Sequence, residues 1–148
     1  MNRKPFLIVA LVVLWFSYTN KKQKKESIFY SAIFSLLECF WYRFWYGQFW
    51  TSWQQFVLCS LFFPIVLFLF SSFSSSLLLQ LLLVPIWIWL FEFVAGHFLL
   101  FVYNGENPAW SYSDKNFCKG TIQINIKTYF RWLGLGMIWI LFDYFNFM

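Results

Sequence analysis

The residues of this chain able to do polar chemistry stand inside apolar runs. Glu38 and Arg43 lie in the stretch 28–47, Glu92 and His97 in 77–103, and Asp143 in 129–147. A charge at a bilayer centre costs about 2.5–3.5 kcal/mol on insertion scales, so each must face protein, water or an interface. Two carboxylates on separate helices are the groups of a proton relay or a cation site, and equally of a buried polar pair that fixes helix register, which is the plainer expectation. Glu38 and Arg43, five apart, are about 140° apart on a helix and do not pair within it. A cross-helix pair of Arg43 with Glu92 is the packing expectation. Gly96, one turn after Glu92, opens a gap through which another helix can approach the carboxylate. A single histidine supplies at most one axial haem ligand, so His97 is expected to be packed or interfacial. Cys39, Cys59 and Cys118 have neither C-x-x-C spacing nor a paired histidine, and read as small apolar residues. No Ser/His/Asp order, phosphate-cradling glycine loop or H-E-x-x-H is present, so no enzyme, cofactor or metal is expected.

The elements that must position these groups are set by composition. The 148 residues are 61% hydrophobic, 27% aromatic and 11% charged, with a mean hydropathy of +0.60. A water-soluble domain carries about 25% charged residues, so lipid is the expected solvent. The net charge of +5 sits at one end: Arg3, Lys4, Lys21, Lys22, Lys24 and Lys25 stand against Glu26, and the bases and acids beyond Glu26 cancel. With only Lys127 and Arg131 near each other in that remainder, no basic groove or wet stacking platform exists for nucleic acid. Abundant Phe and Trp beside scarce Ala is the usage of an A+T-rich, organellar kind of genome, which makes the mitochondrial inner membrane a candidate site.

Along the chain, residues 6–18 form an apolar run flanked by bases. It reaches about 20 Å against a hydrocarbon core of roughly 30 Å, and reads as a signal-anchor or tilted interfacial helix. Residues 1–27 are therefore set apart from a four-span membrane domain at 28–148. Its runs are 28–47, ending in the aromatic cluster Phe40–Tyr46 at headgroup level, then 56–70 with Pro64, 77–103 with a kink expected at Pro85, and 129–147 with Gly134 and Gly136 as a packing notch. Residues 47–55 read as a turn. The polar loop 104–127 opens with turn chemistry at Asn104–Pro108. It closes on the strict alternation Thr121–Lys127, which predicts an extended segment on the membrane surface with its isoleucines inward.

Specific residues in the second half look like a known family. Phe91-Glu92-Phe93-Val94-Ala95-Gly96, Trp110-Ser111-Tyr112-Ser113, Asn116-Phe117 and Gly120-Thr121-Ile122 resemble elements of the transmembrane protein 229 family, also grouped as putative ABC-transporter type IV membrane proteins. Phe29-Tyr30-Ser31-Ala32-Ile33 with Glu38 is similar to the family's opening helix, so the likeness covers about residues 28–142. The chain departs from the pattern at Phe91, where the family has Trp, at Ser111, where it has Asp, and in one extra residue between Phe117 and Gly120. A charge-dependent role of that Asp would here be lost or moved to Asp114. The resemblance implies a small four-span module with Trp110 and Tyr112 in an interfacial loop. No Walker motif is present, so a link to ATP would need a separate partner.

The resulting expectation is an all-α polytopic membrane helix bundle of four to five spans, serving as a non-catalytic subunit or accessory scaffold of a larger membrane complex. Its partners would be lipids and other membrane subunits. The alternative is a transporter-like permease component using Glu38, Glu92 and Arg43. The residues singled out for packing or binding are Glu38, Arg43, Glu92, Gly96, His97, Trp110, Tyr112 and Gly120.

Overall fold

The computed structural model describes residues 4–73, 76–112 and 116–146. They form five helices: α1 (Phe6–Tyr18), α2 (Lys21–Tyr46), α3 (Trp53–Phe73), α4 (Leu77–Val102) and α5 (Ile126–Asn146). A single 3₁₀ turn, Cys118–Gly120, precedes α5, and no strand occurs among the described residues. By length and composition one of these helices, α4, can cross a membrane, while α1 is apolar but shorter.

Helix starts follow local capping chemistry. Asn20 and Gln23 cap α2 reciprocally: the Gln23 N–H donates to Asn20 Oδ1 at 2.9 Å and the Asn20 N–H to Gln23 Oε1 at 3.0 Å. The lysine cluster therefore belongs to α2, which runs unbroken across the boundary expected at residue 27. At its other end Gly47 adopts φ 71°, the left-handed conformation a β-carbon disfavours, and its N–H donates to the Arg43 carbonyl. Ser52 accepts the Gln55 N–H at 3.2 Å, so α3 starts at Trp53, inside the expected turn. Asn125 and Thr128 cap α5 in the same reciprocal way, at 2.9 and 3.2 Å. That cap overrides the alternating pattern of 121–127: Ile122 is buried, Ile124 is exposed, and Ile126 begins the helix exposed.

Helix α2 packs along α3 and α4 along α5, with smaller contacts of α3 to α1 and α4. The two hairpins meet through side chains, among them the stacked rings of Phe34 and Trp132. In the α4–α5 seam Val84 fills the space over Gly136, where an added β-carbon would stand 2.9 Å from both Val84 methyls. The α1 helix is not detached. The Lys4 N–H donates to the Val102 carbonyl, Lys24 lies over the Phe16 ring, and Ile8 joins a core with Leu58, Leu99 and Val102.

The distribution of polarity is inverted. On α2 the buried face is Ser27, Tyr30, Ser31, Ser35 and Glu38, while Ile28, Phe29, Leu36, Phe40 and Phe44 are exposed. Inside the other helices lie Gln54, Gln55, Ser60, Glu92 and Thr128, and outside lie Leu77, Leu78, Ile86, Phe130 and Met137.

Candidate functional site

The serine stripe of α2 runs into Glu38, one helical step further on the same face. Glu38 is 8% exposed and takes a hydrogen bond from Gln55 Nε2 at 2.5 Å. Gln55 can reach it because α3 begins at Trp53 and packs along α2. Glu92, on α4, is 7% exposed, and its Oε1 accepts the Tyr112 hydroxyl at 2.5 Å.

Tyr112 is held in place by the loop that follows α4. The Asn107 side chain accepts the N–H groups of Ala109 and Trp110, turning the chain back over the helix. The Trp110 ring packs on Phe91, and its indole N–H donates to the Thr121 carbonyl at 2.8 Å. The Tyr112 N–H donates to the Gly120 carbonyl at 3.0 Å. Thr121 in turn lies on Gly96, so close that an added β-carbon there would stand 2.6 Å from Thr121 Cβ. The gap beside Glu92 is thus filled by this loop and not by another helix. Trp110 is buried in the core. Burial, then the charge and hydrogen bond of Glu92, push the Tyr112 hydroxyl well above the ordinary phenol range, so it stays a donor.

Both carboxylates line one cavity of about 300 Å³, with Gln55, Tyr112, Arg131 and Trp132 also on its wall. Arg131 of α5 is the cation that faces them. Its guanidinium lies 4.1 Å from the Trp132 ring centroid and 5.0 Å from that of Trp41. Arg43 does not have this role. It is exposed at the end of α2, donates to the carbonyl of Gly47 and lies over Phe49, so the expected Arg43–Glu92 pair is not formed. His97 points elsewhere, with Nδ1 2.9 Å from the Phe93 carbonyl and 3.4 Å from the Thr121 hydroxyl. Asp114 and the Asp143 side chain lie outside the described residues.

Three residues that line the cavity carry deeply buried polar atoms without a protein partner: Glu92 Oε2, Gln55 Oε1 and Trp132 Nε1. A second, more open cavity of about 380 Å³ adjoins the first, sharing Tyr42, Tyr46, Trp110 and Ser111 with it.

Sequence reasoning placed Glu38, Glu92, Gly96, Trp110, Tyr112 and Gly120, which the fold brings together, and it missed Gln55 and Arg131. Arg131 stands inside the last apolar run, where any ionisable group is conspicuous. Gln55 follows Ser52 at capping-box spacing, the sign that it starts a helix. Compared against known protein families, curated proteins and solved structures, the chain matches none.

Proposed function

We propose that this chain is a polytopic integral membrane protein acting as a non-catalytic subunit or scaffold of a larger membrane assembly. The observation that carries the reading is the inverted polarity. A face of Ser27, Ser31, Ser35 and Glu38 turned inward, with phenylalanines and isoleucines outward, is unstable in water and suited to lipid or to the helices of other subunits. Every exposed large apolar side chain in water would forfeit about 1.5–3 kcal/mol of burial. The composition argument favours an organellar membrane, such as the mitochondrial inner membrane. The likeness to the transmembrane protein 229 family belongs to the same proposal. It is supported by the way the motif residues Glu92, Gly96, Trp110, Tyr112 and Gly120 converge on one contact set.

Carbonate washing of membranes tests the first half of the proposal, since an integral protein stays in the pellet. Gentle detergent extraction followed by native mass analysis tests the second. A particle heavier than the 18.0 kDa chain with its bound detergent is expected, and a lone stable monomer would overturn the subunit role.

A permease component is the second reading, favoured by the cavity that holds Glu38 and Glu92 between helices. In it Arg131 replaces Arg43 as the third member. Flux through reconstituted protein that disappears in Glu92→Gln is its expected signature.

A further inference from the structure

The geometry points to the cavity between the two helical hairpins as a binding site for a small organic ammonium ion that carries N–H donors and a hydrogen-bond acceptor, the chemistry of an ethanolammonium group. This rests on the cavity alone, and holds whether the chain works singly or inside an assembly.

The wall states what is missing from it. Glu92 Oε2 and Gln55 Oε1 are acceptors without donors, and Trp132 Nε1 is a donor without an acceptor. Their side chains are 7%, 4% and 2% exposed, so none of them reaches open solvent. Buried polar atoms are satisfied in nearly all proteins, and three orphans on residues that line one cavity match an occupant that supplies two donors and one acceptor. The other oxygen of Glu92 is already engaged by Tyr112, and Glu38 Oε2 by Gln55 Nε2.

Charge selects among such occupants. Two carboxyl groups and one guanidinium line the cavity, so a bound monovalent cation is balanced by the carboxylate that ionises with it. Trp41, Tyr42, Tyr46, Trp110 and Trp132 are among the lining residues, and aromatic faces attract an ammonium group. An alkali ion fits poorly. It cannot accept from Trp132 Nε1, and a volume of about 300 Å³ is that of a small-molecule pocket. Among the described residues no cluster of three His, Cys, Asp or Glu offers a metal its ligands. The adjoining, more open cavity shares Tyr42, Tyr46, Trp110 and Ser111 with the first and lies on the side from which an occupant would enter.

Two sources carry this chemistry, a free amino alcohol and the headgroup of an aminophospholipid. The test is calorimetric titration of ethanolamine hydrochloride into the full chain in nanodiscs of phosphatidylcholine, with tetramethylammonium chloride and potassium chloride as controls. Saturable binding of ethanolammonium is expected, with tetramethylammonium, which has the charge but no N–H, at least about tenfold weaker. Trp132→Phe keeps the ring, removes the unpaired donor and should weaken binding several-fold. Glu92→Gln should abolish it. Circular dichroism checks that each variant is folded, and should Glu92→Gln not fold, Trp132→Phe carries the test. Nanodiscs containing phosphatidylethanolamine separate the sources. Weakened binding of the free amine there assigns the site to the headgroup, and unchanged binding assigns it to a soluble amine. No saturable binding by the folded wild-type chain, or equal binding of tetramethylammonium, would overturn the proposal. Carbonate washing reports on membrane integration independently of this outcome.

Discussion

The Tyr112 hydroxyl donates to Glu92 Oε1 at 2.5 Å, tying the loop after α4 back to the middle of that helix across 20 positions of chain. The second oxygen of the same carboxylate has no protein partner, so Tyr112 is the one side chain of the described residues that donates to Glu92. Tyr112→Phe leaves a buried carboxyl group without a donor. The expected loss is about 1–3 kcal/mol, read from unfolding in mixed micelles. In a Glu92→Leu background the same change should cost far less, since the group left stranded is gone.

The same contact sets an alkaline limit. An unfolded tyrosine gives up its proton near 10.0, whereas burial and Glu92 hold Tyr112 protonated well above that value. The unfolded state then binds fewer protons than the folded one, so stability declines as pH rises past 10. The contribution of Tyr112 is fully present below that point. Unfolding measured from about pH 9 to 11 should show a shallower decline in Tyr112→Phe than in the wild type.

Much of this arrangement is legible in the chain, and the misses have physical causes. The apolar runs locate α1 and α4 almost to the residue, because apolar length is a property of the segment itself. The starts of α2, α3 and α5 are set by caps at Asn20, Ser52 and Asn125, whose spacing is visible in the sequence but is masked by neighbouring signals. A lysine cluster reads as a flank, and the alternation of 121–127 reads as a strand. The acids were conspicuous because charge is rare here. Their partners were not: Gln55 and Arg131 reach them only through helix packing, and Tyr112, singled out for its loop, reaches Glu92 because that loop folds back over α4.

Close packing gives a third prediction. Gly136 lies under Val84, and a β-carbon at Gly136 would meet both methyls at 2.9 Å. Gly136→Ala should destabilise the α4–α5 seam by about 1–3 kcal/mol. Val84→Ala removes the opposing methyls, so the double variant should recover part of that loss. Gly96→Ala differs in kind. It would stand 2.6 Å from Thr121 Cβ, and Thr121→Ser, which keeps that atom, should not rescue it.

The identity of the cation that balances the two acids gives the last prediction. Arg131 lies on the cavity wall with Glu38 and Glu92, and its guanidinium is braced by Trp41 and Trp132. Arg43 is exposed and bound to its own helix end. Removing Arg131 takes from the cavity wall the cation whose charge acts on both buried carboxyl groups. Removing Arg43 forfeits a surface contact of about 0–1 kcal/mol. Arg131→Met should therefore lower the unfolding midpoint far more than Arg43→Leu. Combining Arg131→Met with Glu92→Leu should cost less than the sum of the two, because one change removes the charge the other leaves unbalanced. Arg43→Leu and Glu92→Leu should add simply. Coupling between Arg43 and Glu92 in that cycle, with none between Arg131 and Glu92, would reverse the assignment of the cation.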